Sequence, residues 1–326
     1  MLKSLFLSLP LLFSPLAIAA SSGLPRLGGI NLAGMEFGID IWGNVNGQAV
    51  DPPQDQITHF ISKGANVIRF PLGWQYIQPT LGGALNSAYL KRYDALVQKA
   101  LKSDSSARVI IDVHNYARVN SGVIGQGGPT DAQFVDLWKR LAKKYGGSKR
   151  VIFGLMNEPH DLNIETWAKT LQKVVTGIRS TGAVNILLLP GTDFSSLGSF
   201  PNYYPYLKGI KDSDGSKDKL IFDVHTYLDS DSSGTHTETT ELQQTLKILK
   251  TDKRQAILSE VGGGNTSSCK SKLKLTLSKV KSAYPHFVGF TTWAAGSFST
   301  SYELSLVPTN GKDNALFTAA VKPNLP

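Results

Sequence analysis

Cysteine is nearly missing from this chain. Of 326 residues only Cys269 is one, so no internal disulfide is possible and stability has to come from core packing. A buried, inert thiol is the expected state of Cys269. There is no second cysteine and no His-x-His pair among the six histidines, which removes the ligand spacings of a structural zinc site. No metal and no cofactor is expected. The chain also lacks a Ser/Thr/Pro-rich linker, a small cysteine-rich appendage and any internal stretch of about 20 apolar residues that would span a bilayer. One soluble domain with no membrane partner is the expectation, and a monomer is the default. A formal charge of +9 raises the question of an anionic partner. The lysines are scattered over predicted helices or gathered at residues 270–281, the pattern of solvated faces, so no nucleic-acid partner is expected. A basic surface also suits adsorption to acidic cell-wall material.

At the start, Lys3 precedes a Leu- and Phe-rich run over residues 5–18, then Ala19 and Ala20. A basic residue, a short apolar run and small residues are the order of a secretory signal. Residues 1–20 are therefore expected to be a removed leader, with 21–326 as a secreted, extracellular domain. Asn265-Thr266-Ser267 matches the acceptor pattern for N-glycosylation.

Short apolar runs alternate with amphipathic segments, the signature of parallel α/β architecture. Strands are predicted at 29–32, 66–70, 108–113, 151–156, 186–189, 220–224, 255–258 and 287–292. Helical spacing marks 87–102, 131–145, 165–181, 238–249 and 269–283. Eight strands with intervening helices suggest an α/β fold of the (β/α)8 TIM-barrel type, with a doubly wound open sheet as the alternative. Trp138 and Trp167 fall at core positions of their helices.

The ends of these runs carry the chemistry. The second ends in Arg69, the third leads into His114, and the fourth ends in Asn157, Glu158 and Pro159. The sixth leads into His225 and Tyr227, the seventh into Ser259 and Glu260, and the eighth into Trp293. In a parallel barrel all these tips converge on one face. Buried charge is costly unless paired, so a purely structural set of strands would not gather it there. Two glutamates without a metal-ligand set point to an acid and a nucleophile, the division of labour in glycoside cleavage. Arg69 and Tyr227 are suited to hold Glu260 ionised. Asn157 is placed to meet a sugar 2-OH, and Trp293 offers a flat face to a pyranose ring. Trp42, in a Gly/Asn-rich loop, and Trp74 are candidate sugar platforms. His160 and Asp161 read as loop residues, and the glycine-rich 122–128 as a wall of the cleft.

These stretches together resemble glycoside hydrolase family 5, the cellulase family, and within it the fungal endo-β-1,4-glucanases. The resemblance rests on Gly29-Ile-Asn-Leu-Ala-Gly34, Arg69-Phe-Pro-Leu-Gly-Trp74, Asp112-Val-His-Asn-Tyr116, Asn157-Glu-Pro-His160, Asp223-Val-His-Thr-Tyr227, Ser259-Glu260 and Trp293-Ala-Ala-Gly296. It implies a (β/α)8 barrel and retaining hydrolysis of a polysaccharide without a metal. It further implies Glu158 as acid/base, Glu260 as nucleophile, and Arg69, His114, Asn157, His225, Tyr227 and Trp293 as the supporting shell. The resemblance also implies a sugar platform at Phe194, where relatives commonly have Trp and stacking strength is in question; Ser259 and Val261 replace a commoner Thr pair, and little effect is expected of that replacement. Mannan, mixed-linkage glucan and xyloglucan are alternative substrates, and a silent carbohydrate-binding barrel is the alternative of another class.

Overall fold

The computed structural model describes residues 22–228, 235 and 237–326. The expected leader at 1–20 lies outside the described residues. Eight parallel strands close into a barrel: Leu27–Ala33, Val67–Leu72, Arg108–Val113, Val151–Gly154, Leu187–Pro190, Leu220–Tyr227, Ala256–Gly262 and Phe287–Gly296. Each pairs with its chain neighbour, and the first also pairs with the eighth, Gly29 opposite Thr291. Closure removes the open-sheet alternative and leaves no edge strand.

The strand period of two explains both cores. Leu27, Val67, Ile110, Ile152, Leu188, Ile221, Ile257 and Val288, one from each strand, fill the lower barrel interior. Their chain neighbours Ile68, Val109, Ile111, Phe153, Leu187, Phe222 and Leu258 face outward into the larger core beneath the helices. Trp138 and Trp167 belong to that outer core, as their spacing indicated. Each fully buried side chain of this kind contributes roughly 1.5–3 kcal/mol relative to exposure. One step further up the same inward rows, apolar residues give way to Arg69, Asp112, Asp223 and Ser259, all buried. The barrel is thus dry at its base and polar at its C-terminal mouth.

The predicted helices occur as Ser87–Ser103, Asp131–Tyr145, Ile164–Arg179, Thr239–Thr251 and Ser267–Ser282. Side-chain caps fix four of their starts: Asn86 on Tyr89, Thr130 on Gln133 in a capping box, Asn163 on Thr166 and Thr266 on Cys269. Two full-length helices lacked a clear signal. Gln54–Ser62 buries only Gln56, Ile57 and Phe60, and Phe200–Leu207 holds Pro201 in its first turn and Pro205 inside, residues that read as breakers. The fourth strand ends at Gly154, two residues before its predicted end at 156. Cys269 is buried, as expected.

Gly29 marks the tightest strand approach. A β-carbon there would lie 1.7 Å from the Val67 carbonyl oxygen, backbone that cannot move aside. Gly29→Ala is expected to cost at least ~2 kcal/mol of stability, read from urea unfolding; a variant as stable as wild type would contradict this register.

Candidate active site

Arg69 lies at the centre of the barrel mouth with no exposed surface. Its Nη1 donates to Glu260 Oε1 at 2.5 Å and to Asn31 Oδ1 at 2.8 Å. Its Nη2 donates to Asn157 Oδ1 at 2.8 Å and lies 3.0 Å from Asp112 Oδ2. A buried guanidinium survives only with such compensation. Around it runs a closed circuit. Asp112 Oδ2 is 2.9 Å from His114 Nδ1, and Asn157 Nδ2 donates to His114 Nε2 at 3.1 Å. Accepting at Nε2 leaves the His114 proton on Nδ1, facing Asp112.

Glu260 reaches this network through a break in strand regularity. Strict alternation after Ile257 and Ser259 would turn Glu260 outward. The pairing with the sixth strand shifts between Val224–Leu258 and His225–Glu260, a bulge. Bulges re-aim side chains in this way, and here both Ser259 and Glu260 face the mouth. Tyr227 donates its hydroxyl to Glu260 Oε2 at 2.6 Å. Burial opposes the charged form of Glu260. The His225 and Arg69 charges and the Tyr227 hydrogen bond help to outweigh it and hold the carboxyl at about 2. Burial likewise keeps the Tyr227 hydroxyl protonated, well above its ordinary value.

Glu158 follows the fourth strand with a φ of 42°, a left-handed conformation costing a non-glycine residue about 1–3 kcal/mol. Its side chain is 16% exposed against 4% for Glu260, so Glu158 is the carboxyl open to the cleft. His225 Nδ1 stands between them, 2.9 Å from Glu158 Oε1 and 3.6 Å from Glu260 Oε2. Glu158 and Glu260 oxygens lie within 4.8 Å of each other. Burial pushes His225 down, but Glu260, Glu158 and Asp223 raise it to about 9, so it is a cation at neutral pH. Asp223, two residues earlier in the same inward row, is raised by burial to about 6 against the pull of His225 and Arg69.

Trp293 roofs the circuit. Its ring lies 5.6 Å from that of His114 at an interplanar angle of 18°, and Nε1 donates to Tyr302 Oη at 3.3 Å. Trp42 and Phe194 are 45% and 40% exposed, as sugar platforms must be. Trp74 is not one. It is fully buried, donates to Gln78 Oε1 at 2.9 Å and packs on Phe134, because its helix turns it under the loop. Ser259 also departs from expectation: its Oγ is 2.9 Å from His225 Nε2, so it orients the histidine between the glutamates. Asn31, Asp112 and Asp223 were missed as site residues. Extending the inward phase two residues below His114 and His225 would have found the last two.

A closed parallel barrel with two carboxylates close together at its C-terminal mouth is an arrangement suited to glycoside cleavage. Residues 24–297 match the model of the cellulase family, glycosyl hydrolase family 5, and the chain belongs to that family. It is 53% identical to the manganese dependent endoglucanase Eg5A of Phanerodontia chrysosporium, over 94% of this chain and 82% of that protein. Identity to endoglucanase EG-II of Hypocrea jecorina is 42%, over 92% and 77%. The crystal structure of Cel5A (EG2) from Hypocrea jecorina superposes with a TM-score of 0.86 at 41% identity, covering 91% of this chain and 98% of that one. XacCel5A in complex with cellopentaose gives 0.83 at 30% identity, covering 92% and 99%.

The two shifted groups have opposite pH signs. Stabilisation from ionised Glu260 is complete above its ordinary 4.5 and is lost as pH falls through about 2. Stabilisation from protonated His225 is complete below 6.5 and is lost as pH rises through about 9. The wild-type Tm is therefore expected to decline between pH 6.5 and 9, and His225→Asn to flatten that decline. An equal slope in both proteins would remove His225 from this account.

Proposed function

We propose that the protein is a secreted, monomeric, retaining endo-β-1,4-glucanase, with residues 1–20 as its export leader and soluble cellulose-like chains as its substrate. One observation carries the mechanism: Glu260 is held ionised by Arg69 and Tyr227 while a solvent-open Glu158 oxygen lies within 4.8 Å. Retaining enzymes separate their carboxyls by only ~5–5.5 Å, inverting ones by ~6.5–9.5 Å. The relatives named as endoglucanases, and the cellopentaose complex of a structural neighbour, support a β-1,4-glucan. Among the described residues no helix is long and apolar enough to cross a membrane.

In the first step protonated Glu158 gives its proton to the glycosidic oxygen. A Glu260 oxygen attacks the anomeric carbon, the C–O bond breaks, and a glycosyl ester forms. Ionised Glu158 then takes a proton from water, whose oxygen attacks the same carbon and releases Glu260. His225 keeps the Glu158 carboxyl turned into the cleft. Asn157 donates one amide N–H to His114 and accepts from Arg69 at Oδ1, which leaves its second N–H for the sugar 2-OH. Tyr227 keeps its proton and holds the second Glu260 oxygen until the ester forms.

The relative's name raises manganese. Glu158, His225 and Glu260 bring one ligand atom each within 4.8 Å, but the donor set does not fit. His225 carries a proton that a metal ion would have to displace, and both Glu260 oxygens already accept from Arg69 and Tyr227.

Wild type, Glu158→Gln and Glu260→Gln would be compared on a soluble cellulose derivative, β-mannan and mixed-linkage glucan, with and without excess chelator. Rapid cleavage of the cellulose derivative is expected, unaffected by chelator and reduced on the order of 10²–10⁴-fold or more in each variant. Preference for mannan would reassign the substrate. Loss of activity in chelator would overturn the metal-free mechanism, and folded wild type cleaving none of the polymers would favour a binding barrel.

A further inference from the structure

We infer that His160 is a positioning residue for the leaving-group side of the cleft, joining loops from several strands into one aromatic wall. This rests on the assignment of Glu158 as the proton donor. The sugar that departs with the donated proton lies beyond Glu158, away from the sugar that Glu260 attacks. The chain that leaves Glu158 runs through Pro159 to His160, so the surface around His160 borders that side.

His160 is 1% exposed although it lies on a loop. Its Nε2 donates to the Ile41 carbonyl at 2.8 Å, which ties down the first loop immediately before Trp42. Its Nδ1 lies 2.8 Å from Asp161 Oδ2, and that contact holds the Asp161 carboxyl below its ordinary value. One face of the imidazole stacks on Phe194, centroids 4.3 Å apart and 11° from parallel. The Trp42 ring meets it edge-on at 5.2 Å. Phe194 is held in this pose by an unusual turn: Asp193, Phe194 and Ser195 have φ of 51°, 57° and 52°, and the Phe194 N–H donates to the Pro159 carbonyl at 3.0 Å. Residues without glycine's freedom stay left-handed only where surroundings over-determine them. Arg118 closes the unit from the third loop, donating to the Asp161 carbonyl at 3.1 Å and placing its guanidinium 5.5 Å from the Trp42 ring.

His160 thus contributes no atom to bond cleavage. It sets the separation and tilt of two exposed aromatics, and stacked sugars are sensitive to both. Removing it should weaken productive binding of chains that occupy the leaving-group side and spare substrates that do not. β-Cellotriosyl fluoride makes the distinction, because its leaving group is a fluoride ion with no sugar attached.

The test compares wild type, His160→Ala, His160→Phe and Trp42→Ala on cellohexaose and on β-cellotriosyl fluoride. His160→Ala is expected to lower kcat/KM on cellohexaose about tenfold, the size of a lost aromatic contact, mainly through KM, and to leave the fluoride within about twofold. Trp42→Ala, at an exposed position, should show the same split. The loss in the double variant should fall well short of the product of the single losses. His160→Phe keeps the stack on Phe194 without the Ile41 tether and should retain part of the activity, which guards against a misfolded alanine variant. Equal losses on both substrates would make His160 merely structural, and no loss on either would overturn the proposal. Failure of wild type on the fluoride as well would instead count against the glutamate assignment itself.

Discussion

Everything at the barrel mouth depends on one buried cation. Arg69 is fully buried, so its charge is met by Glu260 and Asp112, and its terminal nitrogens also donate to Asn31 and Asn157. Removing one partner of such a buried pair typically costs about 3–5 kcal/mol, because the other charge is stranded. That cost makes the arrangement single-valued. Glu260 has to be ionised, Asn157 has to present its oxygen to Arg69, and His114 has to face Asp112. Glu260, the proposed nucleophile, is therefore held by the same electrostatics that satisfy the polar core.

The barrel supplies this cation with a graded environment. One apolar residue from each strand seals the base, and the next inward row holds Arg69, Asp112 and Asp223 in low dielectric. There electrostatic contacts are strong and unpaired groups are costly. The bulge at Ser259 and Glu260 then brings two consecutive residues of one strand into the mouth, so that one orients His225 while the other accepts from Arg69. His225, cationic between two glutamates, lets two carboxyl groups stand as close as the proposed double displacement needs.

Much of this was legible in the sequence because its signals are local. Strand runs are short and apolar, their polar ends recur at the same point of each repeat, and convergence of those ends follows from barrel topology. Glu158, Glu260, Arg69, His225 and Tyr227 all meet as that logic requires. Trp74 misled because its exposure is decided by the Trp74–Ile77 turn packing under Phe134, a tertiary fact. Ser259 lies on the inward row, but its role comes from meeting His225 of the neighbouring strand, a pairing no local pattern announces. His160 looked like loop filler, since its partners Ile41, Phe194 and Trp42 come from segments 34 to 119 residues away in mixed directions and no local pattern announces them. Helices carrying Pro201 and Pro205, or only three buried residues, lacked the stripe that marks the others.

The most direct measurement of the central claim, that Arg69 and Tyr227 hold Glu260 as an ionised nucleophile, is covalent trapping. A cellobioside bearing fluorine at C2 and a reactive leaving group at C1 slows turnover of the glycosyl ester. Mass spectrometry of the digested protein is predicted to find the sugar esterified to Glu260, and no adduct in Glu260→Gln. An adduct on Glu158, or hydrolysis that releases the inverted anomer with no adduct, would contradict the account.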